Sequence, residues 1–325
     1  MSQEVFFINV FPTNDRRETV DYKTLTKNFV ELSVRHGFRH TLMTVGNKRL
    51  DPWTLSQWAM HENPQFAPLI AVNPFYQHPV EIAKKVTALH QLYGHSLALN
   101  FVTGSFFSER KSVGDHLSFK ESAQRLKESV SIVRELLEGT KPAISSGPFY
   151  PLQGAEVHPK CQGPRFECFL SGNLRQDFAG DEDCYFVTSM RPLAETLPAA
   201  PRSGISFGIC ARETREEARA ALSRLYPADR RGEMLFELSL ANNETPWNRW
   251  LKTYLAESKQ EDPFYCLQPM KNFWSSVPYL VGSYDEVTQR IREYIAKGHG
   301  FFILDFLPEE ADHVGEVMRR LRAGG

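Results

Sequence analysis

The sequence is short of the features that mark several large protein classes. It has five cysteines in 325 residues, an odd number with no Cys-x-x-Cys pair. That speaks against a disulfide framework and a cysteine-rich zinc site, and it fits a reducing compartment, so a cytoplasmic location is expected. Net charge is almost absent: 38 Lys and Arg against 39 Asp and Glu leave −1. Such a chain is not built to coat nucleic acid or an acidic membrane surface, and no nucleic-acid partner is expected. Long apolar runs are missing too. The longest uncharged stretch, Val86–Ser108, is interrupted by His90, His95 and Asn100, whereas a membrane span needs about 20 mostly apolar residues. The N-terminus carries Glu4 before any apolar core, which is not the pattern of a signal peptide. There is no P-loop, no Gly-x-Gly-x-x-Gly, no Gly-x-Ser-x-Gly and no His-Glu-x-x-His.

What is present is an ordinary globular composition, 42 % apolar and 24 % charged, without low-complexity tracts. Eight short apolar runs recur along it: Val5–Val10, Thr41–Val45, Pro68–Val72, Leu97–Thr103, Phe166–Leu170, Cys184–Thr188, Ile205–Cys210 and Phe301–Phe306. Near-continuous apolar runs are what parallel strands covered on both faces require. Helical stripes lie between them. Ala123, Leu126, Val130, Val133 and Leu137 form the clearest; Ile82, Val86, Leu89 and Tyr93 form another, and Val287, Ile291 and Tyr294 a third. Pro308 followed by Glu309 and Glu310 reads as the start of a last helix. The alternation predicts an α/β fold, a (β/α)8 TIM barrel, as one domain over residues 1–325, with a long insertion after strand seven at about 226–281. A doubly wound open sheet is the alternative. The insertion holds Trp247, Trp250, Phe264, Tyr265 and Trp274. It reads equally as a lid or as a helical excursion packed on the barrel's side.

A barrel collects its chemistry at the C-terminal ends of its strands. That rule selects Asn14 after strand one, Arg49 after strand two, Asn73 and His78 after strand three, Asn100 and Thr103 on strand four, Ser171-Gly172-Asn173 after strand five and Asp305 after strand eight. Ser171-Gly172-Asn173 leads into an expected short helix. Backbone N–H groups there would hold a phosphate, with Arg175 adding charge. The same residues also make an ordinary turn. Asn100 and Thr103 are expected to point into one space, although a satisfied core Asn followed by a turn reads the same way. His40 precedes strand two and belongs to the stability end. Asp305 is either a base at the barrel mouth or half of a buried ion pair.

Several segments together resemble bacterial luciferase-like flavin monooxygenases, with the alkanesulfonate monooxygenases most alike. They are Leu69–Pro79, Ala83–Leu92, Leu97–Gly104 (Leu-Ala-Leu-Asn-Phe-Val-Thr-Gly), Phe207-Gly208, Arg212–Ala218, Leu280–Val287 (Leu-Val-Gly-Ser-Tyr-Asp-Glu-Val), Ile291–Tyr294 and Gly300–Leu304. The resemblance runs from about Phe6 to Leu321. It implies reduced FMN supplied by a separate flavin reductase, and oxygen adding at the flavin C4a position to give a peroxyflavin that attacks the substrate. The protein would hold the flavin, exclude water and position the substrate. By the resemblance, Ala71 and Val72 flank a strained cis peptide behind the flavin ring, Asn100 and Thr103 face the ring, and Ser171, Gly172 and Asn173 match the phosphate loop. Asn14, Arg49 and His78 are the candidates for a hydrogen-bond donor near C4a. Family members are commonly dimers or tetramers, so a homo-oligomer is expected.

The departures narrow the substrate. Where the family carries an Arg-Tyr pair at the start of the helix after strand four, this chain has Ser122-Ala123. The sulfonate-binding Cys, Arg and His positions read Arg49, Ser206 and Gly208, and Tyr-Pro-His reads Leu307-Pro308-Glu309. That argues against an alkanesulfonate. The insertion's aromatics suggest a larger, largely apolar small-molecule substrate, a natural-product precursor or a group bound to a carrier protein. The alternatives are an F420-dependent oxidoreductase, for which Lys48, Arg49, Arg110 and Lys111 would form a basic rim, and a non-catalytic flavin-binding protein of the same fold.

Overall fold

The structure is a computed structural model that describes residues 5–12, 21–94, 97–104, 107–160, 166–172, 174–181, 183–242, 245–257 and 262–323. Its chain contacts divide into two compact units, residues 40–186 and residues 1–39 with 187–325. The expected single domain is therefore described here as two halves, each by itself.

The half spanning residues 40–186 contains β2 (His40–Met43), α2 (Pro52–Glu62), β3 (Pro68–Val72), α3 (Pro79–Tyr93), β4 (Ala98–Val102), α4 (Phe107–Ser112) and α5 (Phe119–Glu138). After these come β5 (Ala143–Ser145), β6 (Leu152–Ala155), β7 (Glu167–Ser171) and the start of β8 (Cys184–Ser189). Strands β2, β3, β4 and β7 pair in parallel in that order. β3 is buried along its whole length, which is why its sequence reads Pro-Leu-Ile-Ala-Val without a polar residue. The clearest sequence stripe becomes α5. Ser118 opens it with a capping box, its hydroxyl accepting from the Glu121 N–H while Glu121 reaches back. Two short strands were not expected: β5 and β6 form an antiparallel pair inside the Pro- and Gly-rich connection.

The other half contains β1 (Phe6–Val10), α1 (Tyr22–His36), β9 (Ser203–Arg212), α6 (Arg215–Leu225), α7 (Arg230–Ala241), α8 (Pro246–Ala256) and β10 (Tyr265–Cys266). It continues with α9 (Gln268–Lys271), β11 (Tyr279–Ser283), α10 (Tyr284–Ala296), β12 (Phe301–Asp305) and α11 (Ala311–Ala323). β12 pairs in parallel with β1 and with the first half of β9; β11 pairs in parallel with the second half of β9. Phe6 stacks on Phe301 and Phe7 on Phe302 across the β1–β12 pair, so part of the Phe content is packed strand. The last helix starts a turn late, because Pro308–Glu310 forms a 3-10 turn first.

Seven of the eight predicted runs pair as parallel strands in these two sets, and β8 coincides with the eighth. The insertion is a helical excursion: α7, α8 and α9 with β10. Trp274 packs against the Tyr226–Tyr279 cluster and Phe264 lies under Arg215 and Arg290, while the remaining aromatics pack on one another. Trp247, Trp250 and Tyr254 surround Leu251, Leu267 and Met270, with ring centroids 4.8 Å apart for Trp247–Trp250 and 5.1 Å for Trp250–Tyr254. They form a small core of their own and give no measure of substrate size. Among the described residues, no helix is long and apolar enough to cross a membrane.

Candidate active site

In the 40–186 half, register sets Ala71, Asn100 and Phe169 in one row across β3, β4 and β7. Residues in one row of a parallel sheet point to one face, as does Ser171 two positions beyond Phe169. Asn100 is buried, and a buried amide must find partners. The Ser171 hydroxyl donates to its Oδ1 at 2.8 Å, tying together the C-terminal ends of β4 and β7. Thr103 is buried just past the end of β4, and its carbonyl accepts from Arg110 Nη1 at 3.3 Å. β4 stops at Val102, so Asn100 and Thr103 do not share a face as alternating strand residues.

Two expectations at this end are corrected. The peptide between Ala71 and Val72 is not cis; among the described residues the cis bond is His158–Pro159. β3 keeps regular pairing through Ala71↔Asn100 and Val72↔Phe101, which a cis link costing about 3–4 kcal/mol would interrupt. The short helix expected after β7 is a series of turns over residues 175–180, with Asp177 and Phe178 N–H groups both bonded to the Leu174 carbonyl. Gly172 has φ +114°, and a Cβ built on it would meet nothing within 4 Å. Its glycine is thus required by conformation, and it leaves open space beside the Ser171 end of the strand. Asn173 lies outside the described residues. Arg175 lays its guanidinium over the Phe186 ring at 4.1 Å, and burial lowers its pKa.

Sequence reasoning missed a buried charge cluster. Asp115 is 2 % exposed. Arg125 grips it with two bonds of 3.3 and 2.8 Å, and Arg110 Nε lies 3.4 Å away. Arg110 also donates to Ser122 Oγ at 2.8 Å and to the Leu117 carbonyl at 2.5 Å. Burial lowers the Arg110 pKa, and Asp115 opposes that shift. Arg110 is therefore no rim cation. Its guanidinium reaches the first turn of α5 at Ser122, where the resemblance finds an Arg-Tyr pair missing. Gly104 permits this: its φ is +86°, and a Cβ there would sit 2.8 Å from Arg110 Cδ and 3.0 Å from Asn73 Nδ2. Nothing local announces a cluster whose charged members lie 5 to 15 positions apart on two helices and the loop between them.

The three donor candidates fall in separate places. His78 caps α3, its Nδ1 accepting the Val80 N–H at 3.3 Å, with its ring edge-on to Tyr150 at 5.2 Å. Accepting at Nδ1 leaves the neutral ring's proton on Nε2. Arg49 sits half-buried in the turn after β2, its N–H bonded to the Gly46 carbonyl. Asn14 lies outside the described residues. His40, at the N-terminal end of β2, is buried 3.7 Å from Glu167, on the stability side as read from sequence. Tyr150 donates to the Pro74 carbonyl at 2.5 Å, and burial pushes its hydroxyl up to about 12.

In the other half, the end of α6, the start of β11 and the end of β12 bring together buried polar groups. Tyr226 and Tyr279 share a hydrogen bond of 2.7 Å, and Ser275 Oγ donates to Asp305 at 2.6 Å. Burial raises both tyrosines, with Asp305 adding to the rise. Asp305 thus accepts a hydrogen bond from a serine hydroxyl. Tyr279 fits only because Gly208 opposes it; a Cβ there would fall 2.1 Å from its ring.

These strands and sites define a class. The chain has the (β/α)8 barrel fold, and its residues 6–167 match the family model of the luciferase-like monooxygenases. One relative is 4-(gamma-L-glutamylamino)butanoyl-[BtrI acyl-carrier protein] monooxygenase BtrO of Niallia circulans. It is 27 % identical over 299 residues, covering 87 % of this chain and 86 % of its own. Two solved structures share the fold. EDTA monooxygenase (EmoA) from Chelativorans sp. BNC1 superposes with a TM-score of 0.71 at 13 % identity, covering 99 % of this chain and 94 % of its own. An F420-dependent secondary alcohol dehydrogenase in complex with an F420–acetone adduct gives 0.69 at 13 % identity, with 98 % and 99 % covered.

Proposed function

We propose that this chain is the oxygenating component of a two-component monooxygenase that takes reduced FMN from a separate reductase and uses O2 to oxygenate a carrier-bound acyl or aminoacyl group. The observation that carries this reading is the match over 299 residues to a monooxygenase named for a carrier-linked substrate. The residues present fit a flavin phosphate. Gly172 leaves open space beside the Ser171 hydroxyl, and the Arg110–Asp115–Arg125 cluster carries one net positive charge at the start of α5.

Bound reduced flavin supplies the two electrons that activate oxygen. The chain's own groups do the rest. Ser171, Gly172 and Asn173 hold the phosphate. Ala71 and Val72 would back the ring, Asn100, fixed in place by its bond from Ser171, would face it, and Thr103 would reach it from the loop beyond β4. His78 Nε2, Arg49 or Asn14 donates a hydrogen bond at the reacting atom. The buried ends of β3, β4 and β7 keep water out. The same fold carrying an F420 dehydrogenase favours a second reading, hydride transfer with F420. F420 has an acidic tail, and the burial of Arg110 removes one of the four cations proposed for it.

The test is anaerobic titration with reduced FMN and with reduced F420, followed by mixing with oxygenated buffer. Tight FMN binding with an oxygen-dependent absorbance transient longer-lived than in free solution supports the monooxygenase. F420 binding with no oxygen-dependent transient replaces it with the second reading. Binding of neither ends both and leaves a protein of this fold without flavin chemistry.

A further inference from the structure

Outside the site above, the described residues hold a second group of reactive atoms. Cys168 lies on β7 and Cys184 opens β8, the neighbouring strand. Their sulfurs are 2.7 Å apart, Cys184 donating to Cys168. Both are free thiols. A disulfide needs about 2.0 Å between sulfurs, and residues facing each other on adjacent strands fall within its Cα range. Arg134, from α5, donates through Nη2 to Cys184 Sγ at 2.9 Å and through Nη1 to Asp181 at 2.6 Å.

We propose that Cys168 and Cys184 form a two-electron redox site, a dithiol that a small hydroperoxide converts into a disulfide across β7 and β8, with Cys184 as the attacking sulfur. The thiolate is the nucleophile in such chemistry, and Cys184 is the sulfur that accepts a hydrogen bond from the Arg134 guanidinium. Burial raises the Cys168 thiol, so Cys168 is the less ready first attacker. First the Cys184 sulfur attacks hydrogen peroxide. An S–O bond forms, the O–O bond breaks, and the hydroxide released takes a proton to become water. Cys184 is now a sulfenic acid. The Cys168 sulfur then attacks it. An S–S bond forms, the S–O bond breaks, and a second water leaves with the Cys168 proton. The two sulfurs lose two electrons, and the peroxide gains them. Both thiols are buried, at 3 % and 0 % exposed. Arg134 and Asp181 are 25 % and 19 % exposed at their side chains, so a small polar oxidant meets polar atoms on its way to Cys184. The cross-link would close a loop over residues 169–183, which carries Ser171 and Gly172.

The test uses the full chain and hydrogen peroxide. After a timed exposure, catalase stops the reaction. The protein is unfolded in guanidinium with an alkylating reagent, and peptides are read by mass spectrometry. Two of the five thiols should escape alkylation, joined as one Cys168–Cys184 peptide, and dithiothreitol should restore both. Cys184→Ala should give no linked peptide and leave Cys168 alkylated. Arg134→Met, checked for native circular dichroism, should slow linkage about tenfold at neutral pH and less at alkaline pH. A merely structural arginine would not show that pH split. Full alkylation of both cysteines in the unmodified chain, or a linkage between any other pair, overturns the proposal. Unchanged kinetics in Arg134→Met overturn the assignment of Cys184 as the attacking sulfur.

Discussion

In the half spanning residues 40–186, Asp115 is buried between Arg110 and Arg125, so a polar cluster is closed by formal charge. In the other half, Tyr226 meets Tyr279 hydroxyl to hydroxyl, and Ser275 donates to the carboxylate of Asp305. Both clusters sit at C-terminal strand ends or in the connections that follow them. The difference lies in what remains when a partner is removed. A buried charge that loses its counter-charge keeps its full desolvation cost, whereas a hydroxyl that loses its partner leaves only one unsatisfied dipole.

Mutation can break this contrast. Asp115→Ala strands two guanidiniums and should cost about 3–5 kcal/mol, read as a large fall in the urea midpoint; a loss under about 1 kcal/mol would mean that the cluster is wet. Next in size is pH. His299 is 7 % exposed, both of its ring nitrogens lack hydrogen-bond partners, and burial, with Lys297 adding to it, lowers its pKa to about 4. The folded ring stays neutral while the unfolded one takes a proton below about 6.5. Stability should therefore fall as pH drops from 6.5 towards 4, by about 2–3 kcal/mol. His299→Gln should flatten that slope, and an unchanged slope would assign it to other groups. The smallest effect belongs to the tyrosine pair. Tyr279→Phe leaves the Tyr226 hydroxyl alone and should cost about 1–2 kcal/mol. If it matched Asp115→Ala, the distinction between charged and neutral closure would fail.

The strands were legible because parallel strands covered on both faces leave continuous apolar runs, and Pro68–Val72 matched β3 residue for residue. α5 was legible because Leu126, Val130 and Val133 repeat at helical spacing, all buried. β5, β6, β10 and β11 were not recognised as strands: β5, β6 and β10 have only two to four residues each, too few to show a period. The site was legible in position but not in detail. Asn100 and Ser171 were both selected by the strand-end rule, yet their bond joins residues 71 positions apart. The helix expected after Gly172 failed because a glycine turn leads equally into a helix or into further turns. Arg110 was read as surface charge, since nothing in its own segment shows that Asp115 and Ser122 will enclose it.

β9 offers one further consequence. Its ten residues give β12 a partner along the first half and β11 along the second. The chain leaves β9 for α6 through α9 and returns as β11 on that same strand. Departure at Arg212 and return at Tyr279, beside Gly208, are thereby fastened to one ladder. Such a doorway makes the excursion an exchangeable cassette. Its length and surface are free to drift, or to be replaced by design, while the frame that presents Asp305 and Tyr279 keeps its register.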